Sequence, residues 1–485
     1  MSSSASRAPR AVATYSRGRV RPAGGRVPSR RAPRLTATPF HSGDLCQVSH
    51  FMGPTIPFRD RQTNPECDRC DHPRSRTGRL VLGNLLQNSG VDCVVLERAE
   101  QAYVRTRARA GFLAAHTVRI LERHGLADGL RQRGQAHSVC EFRSADGRFR
   151  LDYGGLGRGE RHTVYPQQLL VTDLLTRFVA SGGRVGFGTE AVAVLDADTD
   201  RPSVAVRNAD GRPGRWQGRY VAGCDGRHGA ARRSLPADAV RRYHCDHGVT
   251  WLGLLAEAPP SMDAVGYAVH ERGFAGHMAR TPEITRYYLQ CGARDVGRRL
   301  VRGTDLGRAG TAHRGREFGP LNRGRVVQRS VVDLESDVLE PLRHGSLFLA
   351  GDAAGLVSPS AAKGANLAVL EAEILAEALV SDLVHGDSAG LDAYSARCLA
   401  YIWRAQEFSH WMIRLLHGTN RPADSTSDGT HSGHSASGAG MADGGALGAG
   451  CGTSLFHDSL RRSRIASLRT SRSHQDWFAE HYVGV

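Results

Sequence analysis

The stretch Leu347-Phe-Leu-Ala-Gly-Asp-Ala-Ala354 runs directly into Gly355-Leu-Val-Ser-Pro-Ser-Ala-Ala-Lys-Gly-Ala-Asn366. An apolar run that breaks on Gly-Asp is typical of a buried strand ending in a tight turn. The small residues that follow let the backbone approach a ligand closely before a long helix begins. The stretch therefore predicts a strand, a binding turn and a helix, with the carboxylate of Asp352 at the turn.

A second stretch of the same kind lies upstream. Arg219-Tyr-Val-Ala-Gly-Cys-Asp-Gly226 predicts a buried strand that ends on Asp225, and His228-Gly-Ala-Ala-Arg-Arg233 follows it. Either turn alone is equally well explained as an ordinary tight turn. Coincidence explains the pair much less well, and the pair favours a flavin-binding layout.

With both turns in view, the chain resembles the flavoprotein aromatic hydroxylases of class A. The resemblance covers about 80–290 and 335–417, and weakly 460–485. The motifs that carry it, in the family's order, are Val94-Val-Leu-Glu-Arg98, Arg107-Ala-Arg-Ala-Gly111, Val164-Tyr-Pro-Gln167, Trp251-Leu-Gly-Leu-Leu255 and Arg286-Tyr-Tyr-Leu-Gln290. The resemblance implies an α/β fold: a Rossmann-like FAD-binding domain interleaved with a mixed β-sheet substrate domain, and C-terminal helices.

The family's domain order sets the expected boundaries. We expect the FAD-binding domain to take residues 80–235 and 335–385, and the substrate domain to take 236–292. Residues 386–485 should form a C-terminal helical region. Within it, 420–452 is rich in Ser, Gly, Ala, Thr and His, a composition that predicts a flexible low-complexity insertion.

Two segments, 1–79 and 293–334, carry the chain's net charge of +16. The first holds 15 Arg against 5 acids, and the second 10 Arg against 4. Neither shows a helical or strand period. Our hypothesis is that both are disordered or translated out of frame in a gene of high G+C content, since Lys363 is the only lysine beside 63 arginines.

The alternative is a basic tail that binds nucleic acid or a membrane surface, because clustered arginine attracts polyanions. The segment lacks interleaved aromatic residues and any nucleic-acid motif, which disfavours that alternative.

A Rossmann-like domain should open with a strand and a G-x-G-x-x-G turn, whose amides hold the FAD pyrophosphate. Before the helix predicted at Leu80–Leu86, the chain offers Arg74-Ser-Arg-Thr-Gly-Arg79, with no apolar run of strand length ahead of it. The next strand, Cys93–Glu97, ends on the acid expected to hold the adenosine ribose. We therefore expect FAD to bind weakly.

The resemblance implies a monooxygenase that converts 4-hydroxybenzoate to 3,4-dihydroxybenzoate with FAD, O2 and NADPH or NADH. It assigns the substrate carboxylate to Arg280 and Tyr288, and the phenol to Tyr267. A proton should pass from Tyr267 through a second tyrosine to His137, but no tyrosine occurs around Ser467, where we expect the second one. The relay is therefore expected to be broken and the chain to be poorly active.

The resemblance also supplies the remaining sites. Pro359 is expected beside substrate and flavin. Residues expected to hold FAD are Glu97, Arg107, Arg109, Gln167, Asp225, Asp352 and Asn366. Those expected at the nicotinamide nucleotide are Arg98, Tyr103, His228 and Arg232.

Two other functions stay open. Met278 replaces a polar residue of the family beside Arg280, which suggests a related phenolic-acid hydroxylase with a remodelled pocket. A non-catalytic pseudoenzyme, or a basic nucleic-acid-interacting protein, is the other alternative. The resemblance allows a homodimer.

Cysteine usage and hydropathy predict the compartment. The ten cysteines form no even framework, and no signal peptide precedes them, which is typical of a reducing cytoplasm. Cys67-Asp-Arg-Cys70 has metal-ligand spacing but no second pair, so no metal is expected. No run of about 18 apolar residues exists, so no membrane span is expected.

Overall fold

The computed structural model describes residues 46–49, 68–69, 76–106, 111–270, 273–291, 321–417 and 449–484. The described helices are α1 Arg76–Asn88, α2 Gln101–Thr106, α3 Ala115–Arg123, α4 Asp128–Arg133, α5 Gln167–Ala180, α6 Ala230–Arg233, α7 Gly364–His385, α8 Ala389–Leu416, α9 Ala449–Thr470 and α10 Arg472–Val483. Short 3-10 turns span Tyr153–Gly155, Gly351–Ala353 and Pro359–Ala361.

The strands divide among four sheets. They are β1 Cys46–Ser49, β2 Asp68–Arg69, β3 Cys93–Glu97, β4 Phe112–Leu113, β5 Gln135–His137, β6 Val139–Ser144, β7 Gly147–Asp152, β8 His162–Val164, β9 Arg184–Phe187, β10 Glu190–Leu195, β11 Ser203–Arg207, β12 Pro213–Gln217, β13 Tyr220–Gly223, β14 Arg241–Glu257, β15 Val265–His270, β16 Gly273–Thr281, β17 Ile284–Cys291, β18 Arg325–Glu340, β19 Arg343–His344, β20 Leu347–Leu349 and β21 Gly355–Leu356.

The first sheet has six strands in the order β19-β20-β13-β1-β3-β9. All except β19 run parallel, and β1 lies between β13 and β3. β3 is buried throughout, as expected for a parallel strand covered on both faces. The sequence predicted no strand before Leu80, and the structure differs here: Cys46–Ser49 is too short and too polar to be recognised as apolar periodicity.

The helix after β1 is longer than the sequence predicted. α1 begins at Arg76, one turn before Leu80, and its first eleven residues are buried. A Cβ at Gly78 would lie 2.6 Å from the carbonyl oxygen of Ala368 in α7. Only glycine permits so close an approach of two helices, so this one glycine is required by packing.

The second large sheet follows the order β2-β18-β14-β17-β16-β15-β6-β7, with β21 paired to β18. It corrects two expected boundaries. Val139–Asp152 belongs to this sheet although it falls within the segment 80–235 assigned to the FAD-binding domain. Arg325–Glu340 pairs along β14, so the end of the segment 293–334 is an ordered strand and not a featureless basic insertion. The β2 strand likewise lies within 1–79, which therefore contributes to both sheets.

The C-terminal helices cover one face of the second sheet. Phe408 of α8 and Phe478 of α10 pack with Phe142 of β6 in one buried cluster. α9 begins at Ala449, inside the predicted insertion 420–452, and the rest of that insertion lies outside the described residues. Among the described residues, no helix combines the length and the apolar composition needed to cross a membrane.

Candidate active site

A small cavity lies between the second sheet, the turn Pro359–Ala361 and helix α10. Neighbouring strands present alternate residues to it, because side chains along a strand point to opposite faces. Tyr267 of β15 is paired with Gly276 of β16, which is paired with Tyr288 of β17. The side chains that line the cavity include Trp251, Tyr267, Phe274, Met278, Tyr288, Pro359 and Tyr482.

Arg280 lies four residues beyond Gly276 on β16. The register of β16 and β17 shifts between Ala279 and Thr281, so Arg280 occupies a β-bulge. Bulges re-aim side chains beside active sites. The arginine is only 8% exposed, and none of its three guanidinium nitrogens has a hydrogen-bond partner among the described residues.

Burial lowers the pKa of Arg280 to about 10, and the like charge of Arg286 adds to the effect. The side chain of Tyr288 favours the charged form, but no carboxylate of the described residues does, so an anionic ligand would reduce the cost of burying this cation. Tyr288 lies beside both arginines, with the guanidinium carbon of Arg286 5.8 Å from its ring centre. The predicted pair Arg280 and Tyr288 is thus brought together, in a setting that suits a carboxylate.

The other predicted substrate residue, Tyr267, contacts Tyr482, a tyrosine that the expected relay did not include. The hydroxyls of Tyr267 and Tyr482 lie 2.7 Å apart and are buried. The expectation that no second tyrosine follows Tyr267 is therefore wrong. Tyr482 lies near the end of α10, 15 residues after Ser467, and a contact 215 residues apart in sequence carries no local signal.

From Tyr482, aromatic contacts continue to His137. The rings of Tyr153 and His162 meet the ring of Tyr482 edge-on, with centroids 5.0 and 5.1 Å away. The Tyr153 hydroxyl lies 2.9 Å from Nδ1 of His137 and 3.1 Å from Nδ1 of His162. Tyr153 and His162 are additional candidates that the sequence analysis missed.

Burial determines the protonation states of Tyr267, Tyr482 and His137. It raises the pKa of Tyr267 and of Tyr482 above the usual tyrosine range, and lowers the pKa of His137 to about 4. Both hydroxyls therefore carry their protons at neutral pH, and His137 is neutral and able to accept one.

The turn that carries Pro359 is tied to α10 by Lys363, a residue to which we assigned no role. Its Nζ donates to the carbonyl oxygens of His481 and Tyr482, at 2.6 and 3.0 Å, and to that of Gly484. These are the last carbonyls of a helix, which lack intrahelical partners and favour a cation. Lys363 therefore caps the helix that carries Tyr482.

Several residues predicted to contact FAD make extensive contacts within the protein. Asn366 accepts from the Ala114 amide and the Thr117 hydroxyl, both at 2.8 Å, and donates to Phe112 and Ala362 carbonyls. Its amide thus clamps α7 to the segment before α3.

Two predicted carboxylates lie in turns. Asp225 accepts from the Ala231 amide at 2.8 Å and so holds the start of α6, and burial raises its pKa to about 7. Asp352 is buried in the turn Gly351–Ala353, at 1% exposure. That turn is reinforced by Glu371, which accepts from the Gly351 amide.

At the other end of the expected FAD site, Gln167 donates to the Thr77 hydroxyl at 2.8 Å, which ties α5 to the first turn of α1. Glu97 ends β3 as predicted, but Nη2 of Arg79 donates to it at 2.7 Å. Arg107 and Arg109 lie outside the described residues.

FAD therefore fits this chain unevenly. Pro359, Ser360 and Ala362, in the loop that leads to Asn366, line the Tyr267 cavity and offer a place for the flavin ring. Near Glu97, the protein's own arginine takes the place of a ligand hydroxyl.

The residues predicted for the nicotinamide nucleotide do not form one cluster. Tyr103 is 46% exposed on α2, and Arg98 follows β3. His228 accepts from Nε of Arg227 at 2.8 Å. Arg232 is committed to Asp337, 2.7 Å away, and to the Ala353 carbonyl.

Sequence comparisons identify the family and several relatives of this chain. The sequence model of the FAD binding domain family matches residues 77–409. A p-hydroxybenzoate hydroxylase of Acinetobacter baylyi is 35% identical over 338 residues, which cover 70% of this chain and 83% of that protein. A 3-amino-4-hydroxybenzoate 2-monooxygenase of Streptomyces platensis is 29% identical over 314 residues, which cover 62% and 76%.

Solved structures share the fold. A p-nitrophenol 4-monooxygenase of Pseudomonas putida superposes with a TM-score of 0.66 at 16% identity, over 91% of this chain and 99% of that one. Aklavinone-11 hydroxylase, in a complex with FAD and aklavinone, gives 0.61 at 20% identity, over 78% and 70%. With the match across 77–409, the chain belongs to the FAD binding domain family and is a flavin-dependent aromatic monooxygenase of that family, whose cofactor is FAD.

Proposed function

We propose that the chain hydroxylates 4-hydroxybenzoate to 3,4-dihydroxybenzoate, with NADPH or NADH as the reductant. The observation that carries this proposal is the buried guanidinium of Arg280, which has no hydrogen-bond partner among the described residues. Along the same strand lies Gly276, paired with Tyr267. The substrate has a carboxylate and a phenol at opposite ends of one ring, and Arg280 and Tyr267 offer a cation and a hydroxyl on two adjacent strands.

Each side chain then has one task. Arg280 orients the ring by its carboxylate, and the planar guanidinium can make two parallel bonds to it. Tyr267 accepts the proton of the substrate phenol and gives its own to Tyr482, and the phenolate so formed makes the neighbouring ring carbon more nucleophilic. When bound, FAD supplies the electrons with which O2 is activated.

Because Tyr482 stands beside Tyr267, the main reason to expect an inactive enzyme no longer holds. From Tyr482 the proton still has to reach His137, whose neutral ring can receive it; the ring of Tyr482 contacts that of Tyr153, and the Tyr153 hydroxyl lies 2.9 Å from Nδ1 of His137. The dry surroundings of both tyrosines favour transfer along the hydroxyls over exchange with solvent.

Fewer residues are proposed to contact the nicotinamide nucleotide than the family resemblance implied. Arg232 is held by Asp337, so a phosphate on the nucleotide would have to compete with a buried carboxylate. Arg98, Tyr103 and His228 remain the proposed contacts for either NADPH or NADH.

A ring-substituted 4-hydroxybenzoate is the second candidate substrate. Met278 lines the cavity on the strand that leads to Arg280, and its thioether adapts to irregular apolar shapes better than a short polar side chain. The relative that acts on 3-amino-4-hydroxybenzoate supports this alternative. Comparing turnover of the two acids decides between them.

The test is ligand affinity of the FAD-loaded protein, measured for 4-hydroxybenzoate and for 4-hydroxybenzyl alcohol, which lacks the carboxylate. Arg280→Lys should weaken binding of the acid by on the order of 1.5–3 kcal/mol, because lysine keeps the charge but loses the fork. Binding of the alcohol should change little. Arg286→Lys is the matched control, since it retains a cation at the neighbouring arginine.

Product analysis completes the experiment. Wild-type protein supplied with NADPH or NADH should release 3,4-dihydroxybenzoate. Equal losses for acid and alcohol in Arg280→Lys, or no oxygenated product from any 4-hydroxybenzoate, would contradict the proposal.

A further inference from the structure

The acid at the end of β3 is engaged by the protein itself. In dinucleotide-binding folds, an acid at this position accepts hydrogen bonds from the adenosine ribose. Here Glu97 is 1% exposed, and its Oε1 accepts from the Ala99 amide at 2.8 Å. Its Oε2 accepts from Nη2 of Arg79 at 2.7 Å and lies 3.3 Å from Nε of Arg76.

Both arginines belong to the first turn of α1, where such folds place glycines so that helix and ligand approach closely. Their side chains are as buried as the acid, at 1% exposure for Arg79 and 3% for Arg76. Nη1 of Arg79 also contacts the Leu96 carbonyl at 3.4 Å, which places the guanidinium along the end of β3.

A ribose could reach Glu97 only by displacing a guanidinium. Breaking a buried ion pair leaves a charge without compensation, and that loss offsets the hydrogen bonds gained from the ribose. The positive end of α1 and the two arginines still favour an anion such as a phosphate. A flavin phosphate would suit these charges, whereas an adenosine beyond it would gain little.

We propose that this chain binds the flavin mononucleotide part of its cofactor and does not use the adenosine part, so that FMN binds at least as tightly as FAD. The Arg79–Glu97 ion pair is the cause. The inference rests on the chain being a flavoprotein and is independent of its substrate.

The experiment is titration of the purified full chain, freed of flavin, with FMN and with FAD, followed by quenching of flavin fluorescence and without substrate. For the wild type, we expect the dissociation constant of FAD divided by that of FMN to be about one or above. The double variant Arg76→Ala/Arg79→Ala frees Glu97, and FAD should then bind tighter than FMN by at least about tenfold, equivalent to one charge-assisted hydrogen bond.

Arg143→Ala is the matched control, because it removes another buried ion pair, Arg143 to Glu141 at 2.6 Å, in the second sheet. Its ratio should equal that of the wild type. If the double variant does not fold, the wild-type ratio decides alone.

A wild type that prefers FAD by tenfold or more overturns the inference, as does a chain that quenches neither flavin. A double variant whose ratio stays at the wild-type value also overturns it. A strong preference for FAD with intact hydroxylation would leave the proposed function standing. Equal affinities for FMN and FAD without hydroxylation would support the inference and contradict the proposed function.

Discussion

At the scale of single residues, Tyr482 changes how the site is understood. Its hydroxyl is 2.7 Å from that of Tyr267, and burial keeps both protonated at neutral pH. Two neutral hydroxyls in contact can pass a proton by exchanging donor and acceptor roles. The relay therefore needs no tyrosine near Ser467.

We expect Tyr482→Phe to lower hydroxylation by on the order of 10²-fold, the usual contribution of a positioned proton carrier. Oxidation of NADPH or NADH should continue, because the phenylalanine fills the same space beside the ring of Phe478. The measurement is the amount of hydroxylated product formed per nicotinamide oxidised, with H2O2 assayed in parallel.

Tyr394→Phe serves as the control, since Tyr394 is a buried tyrosine that donates to the Leu349 carbonyl, outside the cavity. It should leave the product yield unchanged. Wild-type yield in Tyr482→Phe would show that the proton leaves by another path.

At the scale of elements, one side chain joins the Pro359 turn to α10. Lys363 immediately precedes α7, where a cation is unfavourable for the helix dipole. It is compensated by the carbonyls at the end of α10 and by the ring of Phe408, 5.4 Å from Nζ. The position of Tyr482 thus depends on a contact made from the opposite side of the cavity.

Lys363→Met should loosen the end of α10 and reduce the free energy of unfolding by about 1–3 kcal/mol, the cost of buried carbonyls that lose their side-chain donor; burial lowers the pKa of this lysine to about 7. Hydrogen exchange should rise in Arg472–Val483 and stay unchanged in α5. Lys363→Arg, which keeps the donors, should recover part of the protection.

The same contact can be probed chemically, because Lys363 is the only lysine. Its ε-amine should resist acylation in the folded protein and react after denaturation. Rapid acylation of the folded protein would contradict the capping role.

At the scale of the whole molecule, buried histidines set the response to acid. Burial lowers the pKa of five of them to about 3 or about 4, namely His116, His137, His247, His277 and His417, and lowers the pKa of His162 well below its usual range. Unfolded, each takes up a proton near pH 6.5, so the unfolded chain gains protons that the folded chain refuses. Their contribution to stability is present above pH 6.5 and is lost as the pH falls towards 4.

Two carboxyl groups act in the opposite direction. Burial raises the pKa of Asp225 to about 7 and that of Glu371 to about 8. Both groups therefore become protonated at a higher pH in the folded chain than in the unfolded chain, and their protonation stabilises the folded chain as the pH falls. These six histidines outweigh the two acids. We expect the free energy of unfolding to fall by on the order of 3–5 kcal/mol per pH unit below pH 6.5.

Thermal unfolding between pH 7 and pH 5 measures this response. His277→Gln, which keeps a polar side chain without a titratable ring, should flatten the curve. A midpoint that does not change across this range would contradict the charge states assigned to the histidines.

Local sequence patterns predicted the two turns at Asp225 and Asp352, each from an apolar run that breaks on a glycine and an aspartate. The family resemblance implied the α/β class and the substrate role of Arg280. The sequence by itself also led to Glu97 at the end of β3, since the acid and its strand are adjacent in the chain.

What these residues contact depends on the tertiary structure. β1 gains its place in the sheet from β13 and β3, not from its own four residues. Arg79 meets Glu97 because α1 folds back over β3, and Tyr482 meets Tyr267 across 215 residues. Local patterns predict which side chains of an element are buried. The residues that those side chains contact depend on how elements distant in the sequence pack together.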